Sequence, residues 1–74
     1  KVEVNYTEID YTVPTVFVMG AEDVGISAEV MRECDTMVSI PMFGQIQSLN
    51  VSVAAGIMMY EAVRQRLKSD MEVL

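Results

Sequence analysis

The stretch TVFVMG, Thr15 to Gly20, decides the fold class. Its first five residues form a continuous apolar run, rich in β-branched side chains, that Gly20 interrupts. An apolar run of strand length without alternation predicts a strand buried on both faces. Such strands are typical of parallel sheets covered by helices, so the run predicts an α/β fold.

The flanking segments predict further elements of the same fold. Residues 1–14 predict a short edge strand or an extended lead-in, closed by Pro14. Downstream, Ser27 predicts the N-cap of a short helix from Ala28 to about Cys34. From the buried run onward, the order is therefore strand, loop, helix.

The second half of the chain repeats this order. Residues 36–40 predict a second strand, and a long loop, residues 41–49, leads to a helix expected from about Val51 to Lys68. Basic residues near position 68 favour a helix end there. The apolar residues of this helix follow i, i+3, i+4 spacing on two faces, so its first half is expected to be buried on two sides. One face holds Val51, Ala54, Ala55, Met58, Met59, Ala62 and Val63, and the other holds Val53, Ile57 and Tyr60.

Composition points to a piece of a larger assembly. The 74 residues are 51% hydrophobic, which is high for a chain with so much surface to cover. A two-stranded parallel sheet cannot stand alone, so the chain either assembles with a partner or is part of a larger layered fold. The net charge of −6 lies in residues 1–35. Because an acidic surface repels phosphate, this charge argues against the chain supplying the main nucleic-acid-binding surface.

Several classes of site are disfavoured by composition. The single cysteine, Cys34, forms no internal disulfide, and without histidine no zinc or other metal site is expected. A lone thiol and the lack of a signal peptide favour a cytoplasmic protein. The longest apolar run, residues 51–60, is about half the ~20 residues that span a bilayer, so no membrane segment is expected.

Two loops leave the carboxyl ends of the predicted strands, where open α/β sheets bind ligands. The first, Gly20–Gly25, lacks both the P-loop and the dinucleotide-binding glycine patterns, and its two carboxylates would repel phosphate. On composition alone Glu22 and Asp23 are best interpreted as solvated turn residues, although Glu22 also suits a cationic or hydroxyl-bearing group.

The second loop carries more polar groups than a turn requires. A purely structural interpretation has Gly44 making a turn, Ser48 bonding the local backbone and Asn50 capping the long helix. Loops of this length in compact domains are often functional. Neither loop contains a histidine or lysine base, which leaves either binding or a transfer reaction whose base comes from outside this chain.

The residues VFVMGAEDVGIS and CDTMVSIPMFGQIQSLNVSVAAGIMMYEAVRQR resemble the SpoU (TrmH-like) branch of the SPOUT methyltransferases from about Pro14 to Arg66. The pattern Ile-Pro-Met-x-Gly-x-x-x-Ser-Leu-Asn-Val-Ser-Val-Ala is highly specific. These enzymes are S-adenosylmethionine-dependent RNA 2'-O-ribose methyltransferases. The segments MGAE and EAVRQR look most like the bacterial 23S rRNA guanosine-2'-O-methyltransferases.

The resemblance implies a trefoil-knotted α/β domain, an obligate homodimer and S-adenosylmethionine as the cofactor. Position by position, it implies cofactor contacts at Gly20, Ile40 and Leu49, and a polar catalytic set made of Glu22, Ser48 and Asn50. It implies that Ser48 and Asn50 hydrogen-bond the ribose or a phosphate, and that Glu22 fixes a catalytic arginine. The implied substrate is RNA, with 23S rRNA preferred over tRNA.

One departure from the family pattern matters. The first motif, which carries an asparagine and the arginine thought to activate the hydroxyl, is absent from the sequence. We therefore expect residues 1–74 to be the C-terminal part of the methyltransferase domain, inactive alone. Alternatives are a non-enzymatic cofactor-binding or dimerising module, a tRNA 2'-O-methyltransferase of the same family, and a nucleotide-binding α/β domain, which the missing glycine fingerprints disfavour.

Overall fold

The computed structural model describes residues 3–20, 25–44 and 49–73, without the side chains of 71–73. The described residues form two short strands and two helices. In chain order the elements are strand β1 (Glu3–Asn5), a 3-10 turn (Tyr6–Glu8), helix α1 (Ala28–Glu33), strand β2 (Met37–Ser39) and helix α2 (Val51–Val73).

The sheet consists of β1 and β2, which run parallel with Val4 opposite Val38. The second predicted strand is thus confirmed, and the lead-in contributes its partner. The prediction that Thr15–Met19 forms a buried strand is wrong for this chain. These residues have no regular secondary structure, and Val16 is 88% exposed. In the described part of the chain no strand lies beside them, so their apolar surface has no sheet neighbour.

Helix α1 begins and ends close to the predicted positions. The Ser27 Oγ accepts a hydrogen bond from the Val30 N–H at 3.3 Å, which confirms the predicted N-cap. The Cys34 N–H donates to the Met31 carbonyl at 3.1 Å and closes the helix.

Helix α2 is longer than predicted. It begins at Val51 as expected but continues past Lys68 to Val73. No glycine or proline follows Lys68 to stop it. The basic residues that suggested an end bind elsewhere, since Arg64 pairs with Glu61 and Arg66 donates to the backbone at Tyr11.

The core lies between α2 and the segment that precedes Pro14. Tyr11 is 2% exposed and packs with Met58 and Ala62 of α2, while Phe17 and Val38 border this cluster.

Only one face of α2 is covered. The prediction of burial on two sides is wrong for this chain, because Val53 and Tyr60 are exposed, Tyr60 by 76%. Among the described residues no helix is long and apolar enough to cross a membrane.

Candidate functional site

A largely apolar cleft of about 860 Å³ brings the three predicted cofactor-contact residues together. Gly20, Ile40 and Leu49 all line it. Its volume falls within the ~300–1,000 Å³ typical of small-molecule sites. The family resemblance implied contacts at these three positions, and the sequence pattern predicted two loops at the carboxyl ends of strands. In the structure only the loop after β2 leaves a strand, whereas Gly20 ends a segment without regular secondary structure.

Gly20 lies where the backbone is most crowded. A Cβ at this position would be 2.6 Å from Ile26 Cγ1 and 3.0 Å from the Gly25 carbonyl carbon. Real Cβ atoms essentially never come as close as the first of these distances. The space that a side chain would need is therefore filled by Ile26 and the Gly25 backbone, so this position favours glycine.

Gly44 supports the predicted turn in the second loop. Its φ is +75°, in the left-handed region that favours glycine. The turn follows Phe43, which is exposed, and redirects the chain shortly before the start of α2. The role predicted for Gly44 is confirmed.

Asn50 immediately precedes α2 and is exposed. Its Oδ1 accepts the Ser52 N–H at 2.8 Å, and its carbonyl accepts the Ala54 N–H at 2.9 Å. The predicted N-cap is confirmed. The cap uses only the oxygen of the side-chain amide, so the NH2 group can donate to another acceptor. Asn50 is next to Leu49 in the chain but does not itself line the cleft.

The other two predicted catalytic residues, Glu22 and Ser48, lie outside the described residues. In sequence they are close neighbours of Gly20 and Leu49, which both line the cleft.

A polar network that the sequence did not single out joins α2 to the segment around Tyr11. The Glu61 carboxylate accepts hydrogen bonds from Arg64 Nε at 2.7 Å and Nη2 at 2.9 Å, and from Gln65 Nε2 at 2.8 Å. Gln65 also donates to the Ile9 carbonyl at 2.9 Å and accepts from the Tyr11 N–H at 2.7 Å. The acid-to-arginine spacing of three residues on α2 was the available signal in the sequence.

The network shifts the acidity of its members. The bidentate bond from Arg64 lowers the pKa of Glu61 from 4.5 to about 2, helped by Gln65 and opposed by burial. The same pairing raises the pKa of Arg64. Burial, with the nearby Glu61 charge, raises the pKa of the Tyr11 hydroxyl, which donates to the Tyr6 carbonyl.

A second, polar cleft of about 440 Å³ lies between the N-terminal segment and the later half of α2, and shares Ile9 and Asp10 with the first. Asp10, Arg64 and Lys68 are among its lining residues, and none of the predicted site residues is. In the part of the chain that the structure describes, no group of three or more histidine, cysteine or carboxylate side chains is arranged to hold a metal ion.

Comparison with known proteins identifies the family of this arrangement. A model of the SpoU rRNA Methylase family matches residues 2–60. A tRNA (guanosine(18)-2'-O)-methyltransferase of Aquifex aeolicus is 54% identical over 71 residues, which are 96% of this chain and 34% of that protein. The 23S rRNA (guanosine-2'-O-)-methyltransferase RlmB of Ralstonia nicotianae is 54% identical over 57 residues, which are 77% of this chain and 23% of that protein.

Two solved structures share the fold. The A. aeolicus TrmH/SpoU tRNA modifying enzyme superimposes with a TM-score of 0.84 at 54% identity, over 96% of this chain and 36% of that one. An AdoMet-bound rRNA methyltransferase from Sinorhizobium meliloti gives a TM-score of 0.78 at 43% identity, over 84% of this chain and 24% of that one. The present chain thus spans about a third of the length of the first relative.

Proposed function

Because the chain belongs to the SpoU rRNA Methylase family, we propose that it forms part of an S-adenosylmethionine-dependent RNA 2'-O-ribose methyltransferase. The observation that carries the proposal is the cleft lined by Gly20, Ile40 and Leu49. These are the positions at which the family resemblance implies cofactor contacts. A similar protein of known structure is described as AdoMet-bound.

The residues present fit such a cofactor. The cleft is large enough for a nucleoside with an amino-acid chain, and its apolar lining suits the adenine ring. Gly20 lines the cleft with main chain alone, so no side chain of its own stands between its backbone groups and a cofactor. Ile40 and Leu49 would flank the group, each next to a loop with backbone donors and acceptors.

When bound, the cofactor supplies an electrophilic methyl group on a sulfonium. The protein's task is then to orient a ribose hydroxyl, a poor nucleophile, and to remove its proton. Asn50 suits orientation, because its NH2 group can donate to a ribose or phosphate oxygen while its Oδ1 holds the helix cap. Ser48 is proposed to bond the same nucleotide, and Glu22 to fix an arginine.

The family's first motif, which carries that arginine, is absent from residues 1–74. We propose that these residues supply the second and third motifs of the domain and that methyl transfer needs further residues of the kind the longer relatives contain. The trefoil knot is part of the same proposal, since a knot requires more of the domain than one parallel strand pair.

Two RNA substrates fit the family. The EAVRQR segment resembles the enzymes that methylate a guanosine of 23S rRNA, and the R. nicotianae RlmB matches at 54% identity. A tRNA guanosine is the second candidate, because the A. aeolicus tRNA enzyme matches at the same identity over more of the chain, 96% against 77%. Methylation assays with unmodified tRNA and unmodified rRNA discriminate between them.

The proposal includes a homodimer and, because tRNA and ribosomal RNA are cytoplasmic in bacteria, a cytoplasmic location. Exposed apolar side chains along one face of α2, among them Val53, Tyr60 and Leu67, support a partner for this helix. A module that binds cofactor or dimerises without catalysis is the alternative. It predicts cofactor binding by the full-length protein with no methylation of either RNA.

The decisive experiment separates the two uses of Asn50. In the full-length protein, Asn50→Asp keeps a capping oxygen for the Ser52 N–H but removes the NH2 donor, whereas Asn50→Ala removes both. We expect both variants to lose at least about a hundredfold in methylation rate, within the range that positioning errors cost. Only Asn50→Ala should also lose stability, by about 0.5–2 kcal/mol, through the missing cap.

The measurements are single-turnover methylation with labelled cofactor and thermal unfolding of each variant. Ser52→Ala is the matched control, since the cap needs only the Ser52 backbone N–H. An Asn50→Asp variant with wild-type turnover would remove Asn50 from the catalytic set. A wild-type protein that methylates neither RNA would contradict the enzymatic proposal.

A further inference from the structure

Gln65 uses its side-chain amide as a strand would use its backbone. Nε2 donates to the Ile9 carbonyl at 2.9 Å, and Oε1 accepts the Tyr11 N–H at 2.7 Å. A residue of a parallel strand bonds the residues before and after its neighbour in this way. The side chain of one helical residue therefore replaces a sheet partner for residues 9–11.

The orientation of this amide is fixed by its neighbours. The second Nε2 proton goes to Glu61 Oε2 at 2.8 Å, and the Glu61 side chain is only 6% exposed. A flipped amide would direct its oxygen at a carbonyl and a carboxylate and its NH2 group at an N–H. Because Arg64 holds Glu61 through two bonds, the whole group forms one rigid attachment.

The attachment is connected to the cofactor cleft through aromatic side chains. Tyr11 and Phe17 contact each other edge to face, with ring centroids 5.3 Å apart and planes at 64°. Both rings line the cleft, and Gly20 lies three residues beyond Phe17. Residues 14–20 form one wall of the cleft. They belong to no helix or strand, so the position of this wall depends on contacts such as the one between Tyr11 and Phe17.

We propose that Gln65 is a positioning residue for the methyl-donor site, which holds residues 9–11 against α2 and thereby sets the wall that ends at Gly20. Arg66 has a smaller part in the same task, since its Nε donates to the Tyr11 carbonyl at 2.9 Å. The inference rests on the proposed function, because it assigns the wall to S-adenosylmethionine.

The test is Gln65→Met in the full-length protein. Methionine has a similar length and volume but makes none of the three bonds, so the segment around Tyr11 is held to α2 less firmly, by packing and by Arg66. We expect the Kd for S-adenosylmethionine, measured by calorimetry, and the KM for it to rise about tenfold. The kcat at saturating cofactor and the KM for RNA should stay within twofold, because Gln65 contacts neither reactant.

A matched control separates positioning from loss of stability. Ser69→Gly weakens the same helix at a position outside the attachment, so its Tm should fall while its Kd for the cofactor stays within twofold of wild type. A Gln65→Met variant that binds as tightly as wild type would overturn the inference, as would an equal loss of affinity in Ser69→Gly.

A second variant covers the case in which Gln65→Met does not fold at the assay temperature. Arg66→Met changes an exposed residue and removes its donations to the Tyr11 and Val13 carbonyls, and we expect it to raise the Kd about threefold; no change would overturn the inference. A wild-type protein that binds no S-adenosylmethionine would overturn the proposed function and this inference together. Normal wild-type binding with unaffected variants would overturn the inference alone.

Discussion

At the scale of single residues, Gly20 gives the most direct test of the cofactor cleft. In Gly20→Ala the new Cβ would be 2.6 Å from Ile26 Cγ1 and 3.0 Å from backbone atoms of Gly25 and Ile26. The side chain can rotate away, but the backbone cannot, so the chain must shift at the cleft. We expect S-adenosylmethionine affinity in the full-length protein to fall at least about tenfold, measured by calorimetry.

Gly56 is the control for this substitution. It lies inside α2, and a Cβ there would meet nothing within 4 Å. Gly56→Ala should therefore keep the affinity and raise the free energy of unfolding by about 0.5–1 kcal/mol, through the better helix propensity of alanine. Equal affinity in the two alanine variants would show that Gly20 is not part of the binding surface.

At the scale of elements, the sequence predicted what local patterns determine. Caps and periodicity located α1 and the start of α2, because Ser27 and Asn50 bond N–H groups in the first turns of their own helices, and a short apolar run located β2. The apolar run Thr15–Met19 was misassigned, because burial of a strand requires neighbours that a local pattern cannot supply. The attachment through Gln65 was missed because its partners are more than fifty residues away.

This attachment between α2 and the N-terminal segment should weaken in acid. The pKa of Glu61 is lowered to about 2 in the folded chain from 4.5, so the unfolded chain binds the proton more readily. The stabilisation is therefore complete above pH 4.5 and is lost as the pH falls towards 2. Protonation of Asp10 also lowers the stability in acid, since hydrogen bonds from Thr12 lower the pKa of Asp10 in the folded chain.

Glu61→Gln isolates the contribution of that carboxylate. Glutamine keeps an acceptor oxygen but has no charge to lose, so its Tm at pH 7 should be lower than wild type and the difference should shrink between pH 5 and pH 3. Thermal unfolding followed by circular dichroism over this range measures the difference. A gap that stays constant with pH would contradict the assignment of the low pKa to Glu61.

At the scale of the whole molecule, surface composition governs how these residues behave alone. Tyr11, Met58 and Ala62 are the only buried hydrophobic residues among those described, whereas Val16 and Phe43 are more than 80% exposed. So small a core supplies little against the conformational entropy of folding, and large apolar patches promote association.

We therefore expect the isolated 74-residue polypeptide to self-associate and to unfold broadly, without a sharp transition. Light scattering after size-exclusion chromatography and a thermal melt measure both properties, with the full-length protein as the control. We also expect no calorimetric signal with S-adenosylmethionine, because in the described part of the chain no strand lies beside residues 14–20, which form one wall of the cleft. A monomer that melts cooperatively and binds the cofactor would mean that the attachment through Gln65 and this small core are enough to form the site.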